Sequence, residues 1–99
     1  MIIVAGTLRL TAGALGRARP HMERMILATL QEAGCRAYSY AIDVRDPTIV
    51  QVFEVWDSQA QLDAHFQSDH IMAWRAVWAD IGLSDRNLTR YEISNTLPT

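Results

Sequence analysis

The alternation of apolar and polar positions divides the chain into strands and helices with no linker, repeat or low-complexity tract between them. Ile2–Leu10 is rich in β-branched residues and predicts a first strand. Gly13 and Gly16 punctuate the passage to a helix. From about Ala18 onward, Met22, Met25, Ile26, Thr29, Leu30 and Ala33 recur at helical spacing as one buried stripe. Gly34 stands where a left-handed residue ends a helix. Pro20 suits a first turn, so the helix is expected to begin near Arg19 or to kink there.

Arg36–Val44 and Thr48–Trp56 read as two strands joined at Asp46-Pro47, a pair suited to a tight turn and hence to an antiparallel hairpin. Ser58 with Gln61 is a capping box that opens a short helix to about Gln67. Ser68 or Asp69 caps another, from His70 to about Ile81, which Gly82 ends. Leu88–Ile93 predicts a weaker last strand. The order β-α-β-β-α(α)-β is a split βαβ arrangement: a ferredoxin-like α+β fold with an antiparallel sheet, in which residues 1–99 form a single domain.

The third predicted strand adds a further expectation. Val50, Val52, Glu54 and Trp56 share one face; Ile49, Gln51, Phe53 and Val55 share the other, and both are largely apolar. With helices on one side only, the second face should be polar. Its apolar character predicts a second subunit against it, a homodimer.

Composition narrows the function classes. The net charge is −2 and is spread along the chain, so neither a nucleic-acid stripe nor a polybasic membrane segment is expected. The apolar start Met1–Ala5 is too short to span a bilayer and lacks a basic lead. The lone Cys35 has no disulfide partner, which points to a reducing, cytoplasmic setting. All nine basic residues are arginine. Schiff-base and pyridoxal-phosphate chemistry, which need a lysine, are thereby excluded.

Chemistry-bearing side chains gather in Val52–His70, "VFEVWDSQAQLDAHFQSDH". Glu54 and Trp56 face the same way at the end of a strand. A carboxylate turned inward is costly without a partner and drifts toward a raised pKa. It is either a general acid or base, or a fixed partner of His65 or His70. His70 stands four residues before Trp74 and so shares its helix face. With a reference pKa near neutral, it is a candidate base. His65 lies beside Phe66 on a helix flank. Tyr38 and Tyr40 share a strand face that lines either a pocket or the dimer seam. A metal site from His65, His70 and Glu54 is not expected, because the histidine spacing straddles a helix break. Cys35 has nothing nearby to make it a thiolate and reads as inert.

At Glu54-Val-Trp56-Asp-Ser58, followed by Leu62, Ala64-His65 and His70, and at Gly34-Cys35…Tyr38…Tyr40, the chain resembles the antibiotic biosynthesis monooxygenase family of dimeric α+β barrels. The resemblance runs from Ile2 to about Glu92. It implies a strand Trp in the pocket at Trp56 and, in the last helix, an Arg that corresponds to Arg75. Two polar positions of the family's phenol oxygenases are replaced here, by Val52 and Leu62. The haem-degrading branch has a ligating His in the last helix, where this chain has Arg75, so haem in that manner is not expected. Resemblance to its isomerase branch would imply a lysine, which is absent.

These readings combine into one expectation and its rivals. The expected activity is a cofactor-independent monooxygenase that takes a phenolic or hydroquinone-type aromatic and O₂ to a quinone. The catalytic set would be His70, Glu54 and Trp56, with His70 oriented by Glu54. Trp74, Tyr40, His65, Arg75 and Phe66 would surround the substrate, with neither metal nor cofactor. The rivals are a non-catalytic small-molecule-binding or assembly module on the same scaffold, and a small-metabolite isomerase.

Overall fold

A computed structural model describes residues 1–99 as β1 (Ile2–Arg9), α1 (Leu15–Leu30), β2 (Cys35–Ile42), β3 (Ile49–Trp56), α2 (Gln59–Phe66), α3 (Asp69–Ala76), α4 (Trp78–Ile81) and β4 (Ser84–Glu92). The four strands form one antiparallel sheet in the order β2-β3-β1-β4. This is the expected ferredoxin-like α+β fold. No helix is long and apolar enough to cross a membrane.

Helices cover one face of the sheet. That face carries Ile2, Val4 and Leu8 from β1, Val50, Val52, Glu54 and Trp56 from β3, and Tyr38 from β2, all buried. Ala18, Met22, Met25 and Thr29 of α1 close over it as the periodicity predicted, whereas Leu30 and Ala33, expected in the same stripe, are exposed. The strand register sets Glu54 in one cross-strand row with Tyr38 on one side and Val4 on the other. Tyr40 lies opposite Val52 in the next row. Two rows of the inner face thus place a carboxylate beside two phenols.

Several boundaries differ from expectation: α1 ends at Leu30, short of Gly34, β2 runs Cys35–Ile42, and three further differences bear on the site. α1 begins at Leu15 and contains Pro20 rather than starting at it. Proline has no N–H for the Gly16 carbonyl, but both residues are exposed, so water can take that acceptor. The predicted His70–Ile81 helix is two pieces, broken at Val77, where the last turn of α3 tightens and its N–H reaches Trp74 and Arg75. β4 starts at Ser84, four positions before its first apolar residue, Leu88. Ser84-Asp-Arg-Asn87 carries no apolar signal because this edge strand is exposed almost throughout.

β4 rests chiefly on β1 and approaches it closely at one point. Gly6 adopts φ +154°, and a Cβ there would fall 2.0 Å from the Asn87 carbonyl oxygen. The outward face of the sheet is mixed. Phe53 and Tyr91 are exposed and Ile3 and Val55 half-buried, while Gln51, Ser39 and Asn87 are exposed and polar. Only part of that face is apolar.

Candidate functional site

Two serines set the site. Ser58 Oγ accepts the Gln61 N–H and caps α2; Ser68 Oγ accepts the Ile71 N–H and caps α3. The two caps put His65 in the last turn of α2 and His70 in the first turn of α3, with Ser68 also donating to the His65 carbonyl at 2.7 Å. The chain leaving α1 brings Glu32 between them. One carboxylate oxygen, Glu32 Oε2, lies 2.6 Å from His65 Nδ1 and 2.8 Å from His70 Nε2.

Glu54 belongs to a different set. Its Oε1 accepts the indole N–H of Trp56 at 3.0 Å, and it bonds neither histidine. The expectation that Glu54 orients His70 is therefore corrected: Glu32 does so, and it holds His65 as well. Burial pushes the Glu54 carboxyl pKa up, against the Trp56 hydrogen bond and the positive charge of Arg86. Burial pushes the His65 imidazole down, partly offset by Glu32. At neutral pH His65 is thus a neutral ring that donates Nδ1–H to Glu32 and keeps a lone pair on Nε2. It packs among aromatic rings, with centroids 4.9 Å from Trp56 and 5.4 Å from Tyr38.

Between sheet and helices lies a small, partly open chamber walled by Tyr38, Tyr40, Glu54, His65, Trp74 and Arg86, with Phe66, Arg75 and Trp78 also on its lining. The Arg75 guanidinium sits 5.7 Å over the Phe66 ring. The cavity measures about 20 Å³, room for a single water molecule. The indole N–H groups of Trp74 and Trp78 are buried with no hydrogen-bond acceptor. That of Trp74 lies toward the Tyr40 hydroxyl without reaching hydrogen-bond geometry. Burial raises the pKa of both Tyr38 and Tyr40, so both phenols keep their protons. The walls therefore offer donors: two phenols, two indoles and a guanidinium. Glu54 and the free His65 nitrogen are the acceptors. Such a lining suits an oxyanion formed next to a base.

Of the eight residues singled out in the sequence, six line this chamber: Glu54, His65, Phe66, Tyr40, Trp74 and Arg75. Two do not. Trp56 is completely buried behind Glu54 and is a support rather than a wall. His70 borders a second, open cleft of about 380 Å³ between α1 and α3, together with His21, Arg24 and Met25. The sequence reading missed Glu32 and Arg86. Glu32 falls just past a helix end, where a carboxylate normally meets solvent, and Arg86 falls in the polar start of β4. The metal set weighed from sequence does not assemble, because Glu54 is absent from it. The three side chains whose ligand atoms do converge are Glu32, His65 and His70. Cys35 is inert as expected: burial, with Glu32 and Glu54 nearby, pushes its thiol up to about 11.

The sequence profile of the antibiotic biosynthesis monooxygenase family matches residues 1–77. The chain belongs to that family. The match includes Glu32, Glu54, His65 and His70 and stops short of β4. Among solved structures, a candidate antibiotic biosynthesis monooxygenase from Deinococcus radiodurans superposes with a TM-score of 0.91 at 24% identity, over 100% of this chain and 98% of that one. Rv0793 from Mycobacterium tuberculosis superposes at 0.81 with 25% identity, over 98% of each chain. The uncharacterized protein sll1783 of Synechocystis is 26% identical over 95 residues, 96% of this chain and 65% of that protein. The chain thus spans about two-thirds of the length of the curated relative it matches. Within the family, a monooxygenase-like or small-molecule-binding fold is what this chain shares.

Proposed function

We propose that the chamber takes a phenolic, hydroquinone-type aromatic as its phenolate and passes it to O₂, yielding a quinone and water without a resident cofactor. The stoichiometry closes: one phenol and one O₂ give one quinone and one H₂O. The ring supplies all four electrons, so no outside reductant enters. His65 Nε2 removes the phenolic proton. Glu32, accepting from Nδ1–H, holds the tautomer and stabilises the imidazolium that forms. The indole N–H groups of Trp74 and Trp78, the two phenols and Arg86 stabilise the phenolate in a water-poor space. Relative to the sequence expectation, the base role moves from His70 to His65, because His65 reaches the chamber and His70 borders the cleft.

One observation carries the reading: two buried indole donors without acceptors share a cavity with a desolvated carboxylate and an oriented imidazole. Substrate enters by displacing Phe66, Arg75 and Trp78, since a ring does not fit the space as it stands. Oxygen uptake with a panel of hydroquinones and polycyclic phenols tests the proposal. No member consuming O₂ above buffer, or a His65→Ala variant that consumes it unchanged, would sink it.

The near-filled chamber favours a second reading, ligand binding without turnover. Saturable quenching of tryptophan fluorescence by a phenol, with no oxygen uptake, would select it. In either reading we place the protein in the cytoplasm as a homodimer, with a second copy of the chain over Phe53, Tyr91, Ile3 and Val55. Sedimentation as a monomer at micromolar concentration would remove the dimer.

A further inference from the structure

We infer that Glu32, His65 and His70 form a binding site for one divalent transition-metal ion of the Zn²⁺ or Co²⁺ type. The three ligand atoms, a carboxylate oxygen and two imidazole nitrogens, lie within 4.8 Å of one another. They come from three separate segments: the exit of α1, the end of α2 and the start of α3. Two imidazoles and one carboxylate are the ligand set such ions accept with coordination positions left open.

The distances are close to what an ion requires. Ligands at about 2.0–2.2 Å from a four-coordinate zinc sit roughly 3.3–3.5 Å apart. The Glu32–His65 and Glu32–His70 separations are 2.6 and 2.8 Å, so each opens by roughly 0.5–0.9 Å to admit an ion, while the two imidazole nitrogens, within 4.8 Å of each other, draw together. The mobility needed is unevenly distributed in a useful way. The His65 side chain is 1% exposed and fixed, whereas His70 is 24% exposed and free to adjust. Each ring now shares its nitrogen with the same oxygen. Metal entry moves each ring proton to the other nitrogen, with no change in the charge of the rings.

Access and charge agree with the ligand geometry. His70 borders the 380 Å³ cleft, which supplies the entry path and the direction for open coordination positions. The Glu32 carboxylate, half-buried between the two imidazoles, gives a divalent ion an anionic oxygen ligand alongside the two nitrogens. The site lies on the Nδ1 edge of His65, so an ion there leaves the ring proton on Nε2 and no lone pair for a base. The oxygenase reading thus concerns the metal-free protein, whereas metal binding is measured without any substrate.

The test strips the full chain with EDTA and titrates Zn²⁺ against a chromophoric chelator, with Co²⁺ absorption and metal analysis as second readouts. The expected result is one ion per chain at micromolar affinity. His70→Ala and Glu32→Gln should each weaken binding at least 100-fold, and His21→Ala should leave it unchanged. His70 is partly exposed, so its variant should fold, and circular dichroism checks this. If it does not fold, Glu32→Gln, which keeps the shape of the side chain, decides alone. No binding below about 1 mM Zn²⁺, or equal binding by the wild type and the folded variants, would overturn the inference.

Discussion

Two of the molecule's hollows share the wall formed by Trp74, and the smaller one holds more of the chemistry. The cleft between α1 and α3 is about 380 Å³, open, and lined partly by exposed residues such as Arg24 and Ala73. The chamber under the sheet is about 20 Å³, yet Glu54, His65, two tyrosines, two indoles and two arginines reach it. Volume alone would nominate the cleft. Desolvation nominates the chamber, because a proton or a developing charge is governed there by fixed dipoles instead of by water. Glu32 joins the two regions: it bonds His65 on the chamber wall and His70 on the cleft wall.

The largest effect is expected at the back of the chamber. Trp56 is fully buried and donates to Glu54, so Trp56→Ala removes both a large ring and that hydrogen bond. A loss of about 3–5 kcal/mol is expected, enough to unfold much of a domain this small. Urea denaturation measures it. A loss under about 1 kcal/mol would mean the chamber has no rigid rear wall.

Next in size is the catalytic contrast between the walls. On an oxidised phenol, His65→Ala should reduce kcat by about 10²–10⁴-fold, the usual range for a positioned base. His70→Ala should reduce it less than about tenfold, since it acts only through Glu32. The reverse order would transfer the chemistry to the cleft and dissolve the distinction drawn here.

Glu54→Gln is expected to stabilise the fold by about 1 kcal/mol at neutral pH, because the amide keeps an acceptor for Trp56 and buries no charge. The sign follows from its raised pKa. Folded Glu54 binds a proton more readily than unfolded Glu54, so falling pH favours the folded wild type. The advantage of Glu54→Gln should therefore shrink as pH falls through the raised value toward the ordinary carboxylate range, and thermal melts across that window check it. His65 acts in the opposite direction. Its folded pKa is depressed, so below about pH 6.5 the unfolded chain takes the proton first and stability declines.

The smallest effect belongs to the cleft. His21 is half-exposed and its Nδ1 meets only Arg24, at 2.8 Å. His21→Ala should change stability by no more than about 0.5 kcal/mol and leave turnover intact.

How much of this the sequence disclosed depends on whether each signal was local. The β3 alternation told which face carries Glu54 and Trp56, and the serine caps located the helices holding His65 and His70. Both signals span only a few residues. Glu32 was hidden because its role depends on contacts 33 and 38 positions away, which no periodicity encodes. Arg86 was hidden because the strand bearing it is exposed and lacks an apolar pattern. The place of His70 was hidden for a related reason: it shares a helix face with Trp74, but Trp74 borders both hollows and His70 only the cleft, which is why the base role is proposed for His65.

Gly6 bears on more than the turn of one backbone angle. The absence of a single carbon lets β4 draw up against β1 at the centre of the ladder that joins the two strands. Any side chain at this position would pry the ribbon loose, taking Arg86 and Leu88 away from the chamber they help to line. The residue that governs how this hollow is walled thus sits mid-sheet, opposite Leu88, and carries no functional group at all.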